Sequence, residues 1–186
     1  MLYIIGGGSR CGKTTSANKM LKEKNIPYFS LDYLMMGIAN GIPEFGVYPT
    51  EGDYITAQRM WKIVNPLMTA MVENRIDYTI EGVQVVPSYM AQFAQKHPGK
   101  VKSCFIGLAD IDVKLSVEQI KFYSSQTEND GFKHLTHTEI VHQIERIKAD
   151  SLKIRQECLR YHLKYFESSG DFNKTIDSVV AYLIES

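Results

Sequence analysis

The sequence predicts an α/β fold built on a mainly parallel sheet. Short apolar runs and helical patterns alternate along the whole chain. The first run, Leu2-Tyr3-Ile4-Ile5, has no polar face, as a strand covered on both sides requires. No linker breaks the alternation, so residues 1–186 read as one domain.

Each element has its own signal. Residues 13–24 read as a helix with Ala17, Met20, Leu21 and Lys24 on one face, ended by Asn25 and Pro27. Tyr-Phe-Ser-Leu, 28–31, is a second strand, closed by Asp32. Residues 37–53 carry Gly37, Gly41, Pro43, Gly46, Pro49 and Gly52, the composition of a loop or small inserted element, and Thr50 to Asp53 has capping-box spacing. Apolar positions from Met60 to Met71 recur at helical intervals and read as core, with Pro66 expected to kink or split the helix. Residues 77–82 form a third strand ending in Glu81 and Gly82. A helix follows from Ser88, a turn at 97–100, a fourth strand at 101–108 and a helix at 112–125. The polar stretch 124–137 is loop-like. A long helix over about 138–160, a short strand at 164–166 and a helix at 173–185 complete the chain.

Composition excludes several classes. Of 186 residues, 44% are hydrophobic and 23% charged, which argues against disordered and fibrous proteins. Lys plus Arg equals Asp plus Glu at 21 each, so there is no basic surplus for general binding to nucleic acid or an anionic membrane. Cys11, Cys104 and Cys158 lie far apart with no CxxC pair, which reads as reduced thiols and a cytoplasmic protein. The N-terminal apolar run is too short for a signal peptide, and no segment is expected to span a bilayer. The separations of His134, His137 and His142 match no standard zinc pattern. Oligomeric state leaves no signal.

The most specific stretch is Gly6 to Thr15, GGGSRCGKTT, placed between the first strand and first helix. Gly7-x4-Gly12-Lys13-Thr14 fits the phosphate-binding loop pattern GxxxxGK[ST] at every fixed position. Phosphates need several converging backbone N–H donors with no Cβ in the way. The helix N-terminus adds unpaired N–H groups and partial positive charge. Gly7, Gly8, Ser9, Arg10, Cys11, Gly12, Lys13, Thr14 and Thr15 are therefore the nucleotide-binding candidates. Lys13 brings a full charge to the β- and γ-phosphates, and the Thr14 hydroxyl is a Mg²⁺ ligand candidate. Cys11 is either a thiol with a lowered pKa, next to a helix N-terminus and Lys13, or a small filler.

GTPases are disfavoured: the nearest match to NKxD, Asn173-Lys-Thr-Ile-Asp177, puts its aspartate one residue late and opens a helix. The run Tyr78-Thr79-Ile80 ends in Glu-Gly, not the Asp-Glu of motor ATPases. With GGSRCGKTT, with SLDYL after the second strand, and with IEG closing the third, the sequence resembles the small P-loop kinases: shikimate, gluconate, 2-phosphoglycerate and nucleoside-monophosphate kinases. The C-terminal stretch YFESSGDFNKTIDSVVAYL is similar to 2-phosphoglycerate-kinase-like members. The resemblance implies a three-layer α/β/α domain with a five-stranded parallel sheet in order 2-3-1-4-5. It further implies a substrate-binding insert over about 33–72 and a lid over about 124–138.

In such sheets ligands bind beyond the carboxyl ends of the strands, where the glycine loop, Asp32 and Glu81 all fall. Asp32 is the candidate to accept or orient the proton of an acceptor hydroxyl, a role the resemblance favours; the plainer reading is a helix cap or surface turn. Glu81 is a candidate for Mg²⁺ or substrate binding, against a strand-end carboxylate in a salt bridge. Phosphoryl transfer calls for cations around the migrating group. Lys133, Arg146 and Arg155 are the candidates to reach it, each equally compatible with a solvated helix face. The paired lid arginines frequent in these kinases are missing from 124–137. Arg59 is placed to bind an acidic group on the acceptor, or is simply exposed. Phe172 flanks the adenine, as the fold implies, or packs. The expected activity is ATP- and Mg²⁺-dependent phosphorylation of a small hydroxylated or phosphorylated metabolite. A nucleoside-monophosphate kinase and a non-catalytic ATP-binding regulatory module are the alternatives.

Overall fold

A computed structural model describes residues 1–118, 132 and 134–185. Strands β1 (Leu2–Gly7), β2 (Tyr28–Ser30), β3 (Tyr78–Glu81), β4 (Val101–Gly107) and β5 (Lys164–Glu167) form one sheet in the order 2-3-1-4-5. Every pairing is parallel. Helices α1 (Lys13–Lys24), α2 (Leu31–Gly41), α3 (Asp53–Glu73) and α4 (Pro87–Lys96) alternate with the first strands. Residues 113–118 are helical (α5), and α6 (His137–Arg160) and α7 (Phe172–Ile184) complete the chain. Most of the predicted lid, 124–138, and Lys133 lie outside the described residues.

Successive strand side chains face opposite sides of a sheet, and that rule builds the two cores. Ile5, Cys104 and Ile106 pack with Ala17 and Met20 of α1 and Val179, Val180 and Leu183 of α7. Ile4 and Phe105 point the other way, into a larger cluster with Leu31, Met60, Met68, Met90 and Phe93. Burying a side chain of the size of Phe105 contributes about 1.5–3 kcal/mol. The result is three layers, helix on sheet on helix. Among the described residues no helix is long and apolar enough to cross a membrane.

Four local expectations need correction. β2 ends at Ser30, not 31, and α2 runs through Gly37 to Gly41, so the loop or small inserted element expected over 37–53 starts later, after Gly41. Leu31 and Ile38, seven residues apart and so on one face of that helix, are both buried, and their packing outweighs the poor helix propensity of the glycines. Thr50 to Asp53 forms no capping box: Pro49–Glu51 is a 3-10 turn, and Gly52 at φ 93° redirects the chain into α3 without a side-chain cap. Pro66 does not split α3, whose buried stripe Met60, Val64, Met68 and Val72 continues on both sides of it. On α1, Leu21 is exposed and Ser16 takes the buried position.

Candidate active site

The loop between β1 and α1 is shaped by steric necessity at two glycines. Gly7 has φ 135°, and a Cβ there would fall 2.0 Å from the Ile106 carbonyl oxygen. Gly12 has φ 99° and serves as N-cap of α1 with no side-chain cap; the first turn of that helix holds no acidic residue. Among the described residues, neither a side-chain cap nor a first-turn carboxylate offsets the N–H groups and positive dipole end of this helix. Lys13 is buried, and its ammonium donates to the Gly8 carbonyl at 2.6 Å.

The sheet register sets the carboxylates around this loop. Ser30 pairs with Glu81, and Glu81 with Ile5, so one row crosses β2, β3 and β1. Neighbouring strands lie about 4.8 Å apart, so Asp32, two residues past Ser30, lies on the order of 10 Å across the row from the glycine loop. The Glu81 side chain is 1% exposed, and its Oε1 accepts from the Thr14 hydroxyl at 3.2 Å. A carboxylate this deep with a neutral hydroxyl partner is suited to a cation. Hydroxyl and carboxylate oxygens are also the donor set that Mg²⁺ takes from proteins, with phosphate oxygens completing the shell. Among the described residues no group of three or more His, Cys, Asp and Glu could hold an ion without such oxygens.

Asp32 sits in the first turn of α2, capped by Ser30, whose hydroxyl accepts from the Asp32 N–H at 3.4 Å. It is exposed, and its Oδ1 accepts from the Gln84 amide at 2.8 Å. Asp32 is thus not itself the cap.

A cleft of about 850 Å³ opens beside the loop. Gly7 and Gly8, Asp53 at the start of α3, Val85 after β3, and Arg146 and Asp150 of α6 line it. Burial is the chief cause that raises the Asp53 pKa; Asp150 and Asp32 push the same way, and Arg146 and Lys13 oppose. Asp53, Asp150 and Gln84 were not found from the sequence. Asp53 stands at capping-box spacing from Thr50, and Gln84 carries no spacing signal of its own.

The remaining candidates are dispersed. Phe172 packs on the loop, with its Cε2 3.0 Å from where a Gly12 Cβ would lie. The Arg10 guanidinium stands 4.0 Å from the Phe132 ring centroid, and Arg10 itself has φ 59°. Ser9 and Thr15 are exposed on the loop and first turn of α1, and the Ser9 carbonyl accepts from Cys11 Sγ at 3.3 Å. Burial pushes the Cys11 thiol up to about 11, against the lowered value that its neighbours Lys13 and the helix end suggested. Arg155 is turned away from the cleft lining: Nη1 donates to both Asp110 carboxylate oxygens at 2.9 Å, tying α6 to the residues after β4. Arg59 holds Glu51, at 2.5 Å and 3.4 Å, and the Gly46 carbonyl, so its charge is used in bracing the turns before α3.

Shikimate kinase from Bacteroides thetaiotaomicron is similar with a TM-score of 0.56 and 14% identity, over 97% of this chain and 94% of that one. A gluconokinase from Sinorhizobium meliloti is similar with a TM-score of 0.53 and 14% identity, over 97% and 90%. The fold is that of the small P-loop kinases. An uncharacterised protein from Eubacterium ventriosum is similar with a TM-score of 0.54 and 15% identity, over 98% and 97%. No family model and no curated protein matches the chain.

Proposed function

We propose that the protein is an ATP-dependent phosphotransferase that moves the γ-phosphoryl group to a small hydroxylated or phosphorylated metabolite. The observation that carries this reading is the row along the sheet: a glycine loop with a buried lysine follows β1, Glu81 with its Thr14 partner ends β3, and Asp32 comes two residues after β2. The amides of Gly7 to Thr15 bind the phosphates, and Lys13 neutralises their outer oxygens. Thr14 and Glu81 hold Mg²⁺, which when bound withdraws charge from the phosphate oxygens. Asp32 accepts the proton of the acceptor hydroxyl as its oxygen attacks phosphorus in line, and the γ-phosphoryl group leaves ADP.

Arg146 is the cation on the opposite wall, since Arg155 and Arg59 are engaged elsewhere. Arg10 and Phe172 flank the base. Residues about 33–72 serve as the acceptor-side insert, in which Asp53 joins Asp32.

The test is ADP release from MgATP with and without a panel of polyols, sugar acids, their phosphates and nucleoside monophosphates. Stimulation by one compound is expected, lost by at least ~10²-fold in Lys13→Ala with an unchanged circular dichroism spectrum. Turnover retained in that variant refutes the assignment. MgATP binding with no stimulation by any compound favours a regulatory module instead.

A further inference from the structure

We propose that Gln84 is a positioning residue for Asp32: its amide fixes one carboxylate oxygen so that the other faces the acceptor hydroxyl. The inference rests on the reading of Asp32 as the acceptor-side base. Gln84 lies three residues beyond Glu81, between β3 and α4, and is 2% exposed. Glutamine is seldom this buried unless its polar atoms are used. Its Nε2 donates to Asp32 Oδ1 at 2.8 Å and faces Met35 Sδ at 3.4 Å. Asp32 and Met35 are three residues apart on α2, hence on one face, so both amide hydrogens are directed at the first turns of that helix.

The other end of the amide shows what decides its orientation. Gln84 Oε1 is buried and has no hydrogen-bond partner. A buried carbonyl left in that condition costs about 1–3 kcal/mol. Turning the amide over would place Oε1 against the Asp32 carboxylate, acceptor to acceptor, which is worse. The carboxylate therefore sets the amide, and the buried amide in return sets the carboxylate.

Gly82 makes the arrangement possible: a Cβ there would fall 2.5 Å from Gln84 Oε1 and 2.9 Å from Leu31 Cβ. Asp32 is exposed, and its Oδ2 has no hydrogen bond among the described residues. Without the tether through Oδ1 its side chain would rotate in solvent. A misplacement of about 1 Å at a reacting group costs ~10²-fold in rate.

The test uses the full chain and has two arms. In the first, the Gln84 side-chain amide signal in ¹⁵N-labelled protein is identified by its loss in Gln84→Leu. It is expected to move in Asp32→Asn, because a neutral amide accepts more weakly than a carboxylate. In the second, the compound that most stimulates ADP release is the acceptor. Gln84→Leu should lower kcat by about 10- to 100-fold with the KM for MgATP unchanged. Gln84→His, whose ring N–H has similar reach, should restore most of the loss.

An unchanged kcat in Gln84→Leu, a Gln84→His as slow as Gln84→Leu, or an amide signal indifferent to Asp32→Asn overturns the proposal. If no compound stimulates ADP release, the kinase reading fails, while the amide signal still reports whether Gln84 holds Asp32.

Discussion

Cys11 and Asp53 border the same loop and are pushed toward their protonated forms by the same cause, removal from water. For Cys11 the consequence is an inert thiol at neutral pH, so its place in the loop is as a small buried side chain. For Asp53 the consequence is a cost. Its folded pKa lies above the ordinary value of 3.8, so the folded chain holds that proton more tightly than the unfolded chain. The associated stability is present in full below the unfolded pKa and is lost as pH rises through the folded one. Asp53→Asn should therefore raise the melting temperature at pH 7, with the gain shrinking toward zero near pH 3; thermal denaturation across that range measures it. Equal melting temperatures at pH 7 would contradict the origin given for the shift. The sequence made Lys13 and Thr14 legible because fixed spacing to two glycines defines them. Asp53 and Gln84 were not legible, because each takes its meaning from residues on distant elements: Arg146 and Asp150 for one, Asp32 for the other.

At the level of elements, α6 is the longest helix among the described residues and forms one wall of the cleft, so its start is well secured. Thr136 accepts from the Glu139 N–H, and the Glu139 carboxylate accepts from the Thr136 N–H at 2.7 Å, a reciprocal capping box. The Thr136 hydroxyl and its backbone N–H, both donating to the Glu139 carboxylate, lower the Glu139 pKa. Thr136→Ala should cost about 1 kcal/mol, read as a lower urea midpoint with an unchanged slope. An unchanged midpoint would show that the end of α6 is held by its tertiary packing alone. The same contest between local and tertiary forces explains where element boundaries were misjudged. Gly37 and Gly41 read locally as loop, and Pro66 as a break, yet buried stripes on α2 and α3 carry both helices through. The capping signal at Thr50 lost to Gly52, and the box that does form lies at the start of α6.

For the molecule as a whole, alternation of apolar runs and helical patterns was enough to predict parallel α/β layers. Strand order came from resemblance, since no pattern within a strand names its neighbour. One property belongs to the entire chain: a ligand that binds only the folded state stabilises all of it. MgATP at a hundredfold excess over its Kd should add about 2.7 kcal/mol, equivalent to a rise of roughly 5–10 °C in Tm for a domain of this size. No shift with MgATP, measured by scanning calorimetry, would count against nucleotide binding at the loop.

The row Ser30, Glu81 and Ile5 has a consequence for how such a protein can be altered. The gaps between the glycine loop, Glu81 and the strand end that leads into Asp32 are measured off by backbone hydrogen bonds, a ruler that side-chain replacement does not rescale. On the proposed reading, residues of α2 beyond its first turn and of α3 beyond Asp53 can then be exchanged to recognise a different acceptor while Asp32 and the glycine loop keep their separation. A designer seeking new specificity should vary those helices and leave the ruler untouched.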